Sequence, residues 1–272
     1  MPAHELERAS TTEGLPVAPS LGPTLEATGI PTDTTTNAWR VARLSGFAIL
    51  LALTAGTVEP LLQRLIAFFT NLALYGRWSF ETVSPWQHQL GALVMVVPVL
   101  GGLVVGLMAR YGSKAIRGHG IPEAMEQVLT NQSRIPARMT LLKPLSAAIC
   151  IGTGGPFGAE GPIIATGGAL GSLLGQYLKV SASERKALLA AGAAAGMAAT
   201  FGSPVSAVLL AVELLLFEYR PSSLIPCALA AATANGVRLA LVGGAPVFPM
   251  PDLAQPTDAA LALYNVPGAL VG

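Results

Sequence analysis

Charge is what this sequence has least of. Lys, Arg, Asp and Glu together supply 11% of its 272 residues, where an ordinary globular domain carries roughly a quarter. Apolar residues make up 52% and the mean hydropathy is +0.57, which excludes a soluble domain. Cysteine is nearly absent, with Cys150 and Cys227 alone in apolar stretches. Two thiols so placed match no redox or metal spacing and read as small buried hydrophobes. The three histidines, His4, His88 and His119, are too scattered for a metal cluster. No basic patch interleaved with aromatics occurs, so nucleic acid is not a partner. Phosphate-loop and His-Glu-x-x-His motifs are missing, and Gly152-Thr153-Gly154 lacks the third glycine and preceding strand of a dinucleotide turn. A buried acid without a nucleophile or metal ligands argues against an intramembrane enzyme. No cofactor is implied.

What the sequence does have is long uncharged runs, among them 89–109, 161–178 and 187–212. A spanning helix needs about 20 apolar residues, so the chain reads as an all-α integral membrane protein whose first partner is the lipid bilayer. Residues 1–37, rich in Thr, Pro, Ala and Glu with five acids and one Arg, read as a disordered tail. They lack the basic start and short apolar core of a signal peptide. The remainder, 38–272, reads as one transmembrane domain. Its first segment runs from about Trp39 to Tyr75 with an interruption at Glu59-Pro60, as one kinked helix or two shorter ones. Arg40 and Arg43 at its start, and the cluster Arg110, Lys114 and Arg117 after a return span packed through Gly102 and Gly106, place the N-terminus in the cytoplasm. The expected membrane is the plasma, or cell inner, membrane.

The chain is organised around 152–171. Gly152, Gly154, Gly155, Pro156 and Gly158 forbid a regular helix there, and Pro162 suits the first turn of a new one over about 161–178. Irregular backbone at membrane depth is tolerated only where it is buried in protein or lines a wet cavity. The new helix start offers free N–H groups to an anion, and Glu160 is the carboxylate placed at it. A second helix start of this kind follows Gly118-His119-Gly120, opening a short helix over about 121–131. Further on, Ser183 is expected to cap a helix over 184–201. The Gly192 to Gly196 run of that helix is a small-residue face for close helix approach. Helices over 204–219 and 224–242 follow, and 243–272 begins what reads as the next membrane segment.

Three separated pieces resemble one family. Gly118-His119-Gly120-Ile121-Pro122 resembles the first anion-pathway motif of the CLC chloride channels and transporters, usually Gly-Ser-Gly-Ile-Pro. Gly158-Ala159-Glu160-Gly161-Pro162 is similar to their second, usually Gly-Arg/Lys-Glu-Gly-Pro. The run from Gly192 through Phe201-Gly202-Ser203-Pro204 to Glu213 is similar to the helix pair that follows, so the likeness covers roughly 40–265. It implies broken and re-entrant helices in two inverted-topology halves, helix starts meeting an anion near mid-membrane, and a homodimer with one pathway per subunit. This sequence matches the first half, and the amide and Tyr ligands of the second half are not found after residue 243. A truncated chain or a half-length product is expected, with a C-terminal half missing.

The resemblance also assigns roles. Glu160 is the gating glutamate: deprotonated it occupies the anion's place, and protonated or swung away it releases it. The bland alternative is a structural acid capping a helix, although unpaired intramembrane acids are usually functional. Gly118, His119, Gly120, Ile121, Ala159 and Gly161 are the anion-binding positions. His119 stands where the family most often has Ser and brings a donor with pH dependence; otherwise it fills space. Ala159 removes the usual positive charge of the second motif. Glu213 matches the first of two acids ending a family helix and is a weak candidate for an inner proton site; Leu214 stands at the second. A Leu carries no proton, which favours a passive chloride channel gated by voltage or pH. The alternatives are a proton-coupled chloride antiporter and a half-length, non-transporting membrane subunit that needs a partner chain.

Overall fold

Helices form because each satisfies its own backbone without water, the one requirement an apolar medium imposes. The computed structural model describes residues 15–16, 38–113, 116, 120–245, 247 and 263. The first helix, α1 (Ala38–Thr70), passes through Pro60 without a break and continues as a π turn over Asn71–Tyr75. Of the two arrangements open for this segment, the single long helix is the one found. At 1.5 Å per residue α1 is about 50 Å long, well beyond the ~30 Å of hydrocarbon. Gly56, one turn before Pro60, lets α1 lie against Ala234 and Val237 of the last helix. The Asn71 amide ties the start of the π turn to the segment beyond it by donating to the carbonyls of Ala67 and Glu81, at 2.9 and 2.7 Å.

A short 3₁₀ turn, Gly91–Met95, leads into α2 (Val96–Tyr111). The packing expected through Gly102 and Gly106 is not found. A side chain added at either would meet nothing, and the contact runs through Gly101, which lies directly on Thr153. The remaining helices are α3 (Ile121–Thr130), α4 (Met139–Gly152), α5 (Glu160–Tyr177), α6 (Ala182–Phe201), α7 (Pro204–Ala211, extended by a π turn over Val212–Leu216) and α8 (Pro221–Val242). Among the described residues, three stretches are long and apolar enough to cross a membrane: Ala38–Tyr75, Gly91–Tyr111 and Pro221–Val242.

The core sits on α6. Fifteen of its 20 residues are buried, so it is a helix enclosed on every side, with α1, α5, α7 and α8 around it. Its small-residue face is complementary to that of α5. Gly167 and Gly192 each lie on the other's carbonyl, Gly171 lies on the carbonyl of Leu188, and Gly196 on that of Ile163. The two backbones touch because no Cβ separates them, the close approach that small residues permit between membrane helices.

The cap of α6 is Ser181 rather than Ser183. Ser181 Oγ accepts the Glu184 N–H at 3.2 Å and Glu184 Oε2 accepts the Ser181 N–H at 3.0 Å, the reciprocal pattern of Ser-x-x-Glu. The one strand pair among the described residues is Leu15–Pro16 against Glu218–Tyr219, antiparallel. Apart from Leu15–Pro16, the tail expected over 1–37 lies outside the described residues, as does nearly all of 246–272.

Candidate anion site between the starts of α3 and α5

Gly120 precedes α3 with φ +103° and ψ −49°, a backbone state that side chains resist. This turn lays Gly120 directly on the carbonyl of Gly161, and any Cβ there would also stand 3.2 Å from Ala165 Cβ. The starts of α3 and α5 therefore touch, although about 40 residues of chain separate them. Pro122 occupies the first turn of α3, where no N–H partner is lost.

The α5 start is made by a broken stretch. Thr153 closes α4, its Oγ1 donating to the Ile149 carbonyl at 2.8 Å. Gly154 then takes φ +95° and the Gly155 N–H donates to the Cys150 carbonyl at 2.8 Å. Residue 159 precedes the helix, and Glu160 is its first residue. The Glu160 carboxylate folds back over Gly158, where a Cβ would collide with Oε2. Among the described residues no hydrogen bond or ion pair holds this carboxylate. It lines a cavity of about 470 Å³ between α2, α4 and α5, together with Lys143, Ser146, Cys150, Phe157 and Gly161.

Of the expected anion-binding positions, Ile121, Ala159, Glu160 and Gly161 stand at these two helix starts. Gly118 and His119 lie outside the described residues. Gly120 needs a correction: its N–H donates to Glu123 Oε2 at 2.6 Å, so that amide is taken by the carboxylate of its own helix. What Gly120 contributes is the close approach to Gly161.

Glu213 is exposed on the π turn and lines neither this cavity nor the smaller one beside it. Arg220 pairs with Glu218 at 3.5 Å and not with Glu213, and Glu218 also meets Lys186 at 3.6 Å. Glu218 is thus a bridge between two buried cations rather than a solvated helix-end charge. At the start of α6, Glu184 meets Arg40 and Arg43 at 3.3 and 3.5 Å. Burial pushes the Glu184 carboxyl up, but the Ser181 amide and the Arg40 guanidinium outweigh it and hold the group below the usual range.

Lys143 was the site residue no motif marked. It sits on α4, 4% exposed, with Nζ donating to the Ile116 carbonyl at 3.0 Å. It also lines a second cavity of about 40 Å³ that holds Glu123 and Gln127. One sequence signal pointed there: between Arg138 and Lys179, Lys143 and Glu160 are the two charged residues.

Comparisons with known proteins agree with this architecture. A family model described as voltage gated chloride channel matches residues 101–272. The putative chloride channel protein ClcB-like of Ralstonia nicotianae is 30% identical over 171 residues, which cover 61% of this chain and 39% of that protein. The H(+)/Cl(-) exchange transporter ClcA of Vibrio parahaemolyticus is 32% identical over 204 residues, 71% of this chain and 43% of that protein. This chain thus spans less than half the length of these two relatives. Among solved structures, a CLC-type fluoride/proton antiporter superposes with a TM-score of 0.66 at 20% identity, over 87% of this chain and 56% of that one. A slow cyanobacterial Cl-/H+ antiporter gives 0.62 at 19% identity, over 88% and 55%. The all-helical arrangement is therefore the CLC fold, and with the family model matched over more than half its residues, the chain belongs to the voltage-gated chloride channel family.

Proposed function

We propose that this chain forms the first part of a proton-coupled anion exchanger, carrying chloride or a related halide past Glu160. The observation that carries the reading is the contact of two helix starts, Gly120 on Gly161, beside a cavity that Glu160 lines. Two helix starts present positive ends and unpaired N–H groups to a common point. A carboxylate at that point competes with the anion when ionised and yields when protonated, which ties anion occupancy to a proton. The amides of Ile121, Ala159 and Gly161 are the proposed anion contacts, with Gly118 and His119 completing the set.

Leu214 by itself favours a passive channel gated by voltage or pH. Exchange is preferred because relatives of 30 to 32% identity are named H(+)/Cl(-) exchange transporters and the similar folds are antiporters. A homodimer in the plasma membrane, with its N-terminus in the cytoplasm, completes the proposal. The match covers less than half of the relatives' length, and the second reading proposed is a subunit that works only with a partner chain.

The test uses liposomes loaded with chloride. A chloride gradient should drive protons uphill in the protein carrying Glu160, and Glu160→Gln should abolish proton movement while anion flux continues. Chloride flux with no proton movement in the unaltered protein would establish the passive channel instead. Flux that appears only when a second-half polypeptide is co-reconstituted would support the subunit reading. Proton-coupled flux unchanged by Glu160→Gln would refute the gate.

A further inference from the structure

The cavity beside Glu160 has one cationic side chain among the described residues that line it, Lys143. Position 159, where the motif it resembles usually carries a basic residue, is Ala. Lys143 is fixed rather than mobile: it is 4% exposed on α4, and its ammonium is anchored to the Ile116 carbonyl at 3.0 Å. It stands between two carboxylates, lining the large cavity with Glu160 and the small one with Glu123. The other polar lining side chain on α4, Ser146, turns back to donate to the Lys143 carbonyl at 2.9 Å. A point charge in a wall of low dielectric acts on the contents of a cavity far more strongly than the same charge in water.

We propose that Lys143 supplies the positive charge of the Glu160 cavity and sets its preference for anions over cations. This deepens the transport reading above by naming the residue that selects by charge. A purely structural lysine, holding the Ile116 carbonyl and neutralising Glu123, would leave that preference unchanged when replaced.

Two native thiols allow a test without any transport measurement. Cys150 lines the cavity and is partly accessible, whereas Cys227 is fully buried. The whole chain, purified in detergent, is treated with the sulfonatoethyl and trimethylammonioethyl methanethiosulfonates. In each the Cys150 thiolate attacks the thiol-side sulfur, a mixed disulfide forms and methanesulfinate leaves. Both reagents meet the same thiolate, so the ratio of the anionic to the cationic rate reports local charge alone. Glu160→Gln serves as background, since Lys143 and Glu160 are the charged groups among the described residues that line the cavity. There the ratio should exceed that of free cysteine. Lys143→Met should lower it by about tenfold or more, as expected for a unit charge within about 10 Å at an effective dielectric of ~20. Lys143→Arg should preserve it, and Cys227 should stay unlabelled throughout.

A ratio within about twofold of the background after Lys143→Met, with Cys227 still protected, would overturn the proposal. So would a background ratio no higher than that of free cysteine, a result that does not depend on the Met variant folding. The labelling result stands apart from transport: a protein that moves no anion yet shows the drop would sink the exchanger reading and leave the role of Lys143 intact.

Discussion

Replacing Gly120 by Ala tests whether the meeting of α3 and α5 rests on a single missing methyl group. The substitution acts twice. An alanine must adopt φ +103°, a sparsely populated backbone state that costs roughly 1–3 kcal/mol. Its Cβ would also stand 2.8 Å from the Gly161 carbonyl carbon and 3.2 Å from Ala165 Cβ. Carbon atoms pack at about 3.5–4.0 Å, so the two helix starts must separate by up to about 1 Å, at an overpacking cost of roughly 1–3 kcal/mol. The sum is about 2–6 kcal/mol. In a chain of this size each kcal/mol lowers a melting midpoint by about 2–4 °C, so a loss of at least ~4 °C is expected. The control is Gly102→Ala, in the interior of α2 where a Cβ meets nothing; it should be neutral or stabilise by about 0.5–1 kcal/mol. The assay is the fraction of monodisperse protein left after heating in detergent. Midpoints for the two variants that agree within about 1 °C would refute the claim that this contact holds the site.

Three further outcomes follow from the same geometry. Glu218→Ala should cost about 3 kcal/mol because it takes the paired carboxylate from buried Lys186 and removes one partner of buried Arg220, whereas Glu213→Ala on the exposed π turn should stay within ~0.5 kcal/mol; denaturant or thermal titration in detergent ranks the two, and the reverse order would contradict the ion-pair assignment. Glu184 has a carboxyl held below its usual value, so its contribution is fully present above the unfolded value near 4.5 and is lost as pH falls through the lower folded one. Glu184→Gln should therefore be less stable than the parent at neutral pH and should lose part of the acid-side decline seen in melts at stepped pH. Gly192→Val should cost about 3 kcal/mol or more, since its Cβ would enter the Gly167 carbonyl; unchanged thermal stability would mean that α5 and α6 do not touch backbone to backbone.

Several features were legible before any coordinates because they depend on neighbours in the chain. Hydropathy marks the membrane segments, and Pro122 and Pro162 mark helix starts that occur within a residue or two of where they were expected. The Gly192 to Gly196 face was visible as a spacing, and the structure lays it on Gly167 and Ile163 of α5. Where expectation failed locally, a cue had been present. Ser181 and Glu184 carry the reciprocal capping spacing that Ser183 lacks.

Other assignments depended on which surfaces meet, and spacing could not supply that. Gly101, and not Gly102 or Gly106, faces another helix because α4 ends with Thr153 at that height. Arg220 turns to Glu218 because the backbone reverses at Phe217, φ +59°, leaving Glu213 on the outside of the π turn. Lys143 carries no motif, and it becomes part of the site because α4 is packed between α2 and α5. By itself the sequence determined a helical membrane chain whose helices break where Gly and Pro leave backbone groups unpaired, since hydropathy and backbone conformation are short-range properties. The tertiary structure alone decided which break meets which and which charges share a cavity, since those contacts join segments tens of residues apart and arise only when whole helices pack.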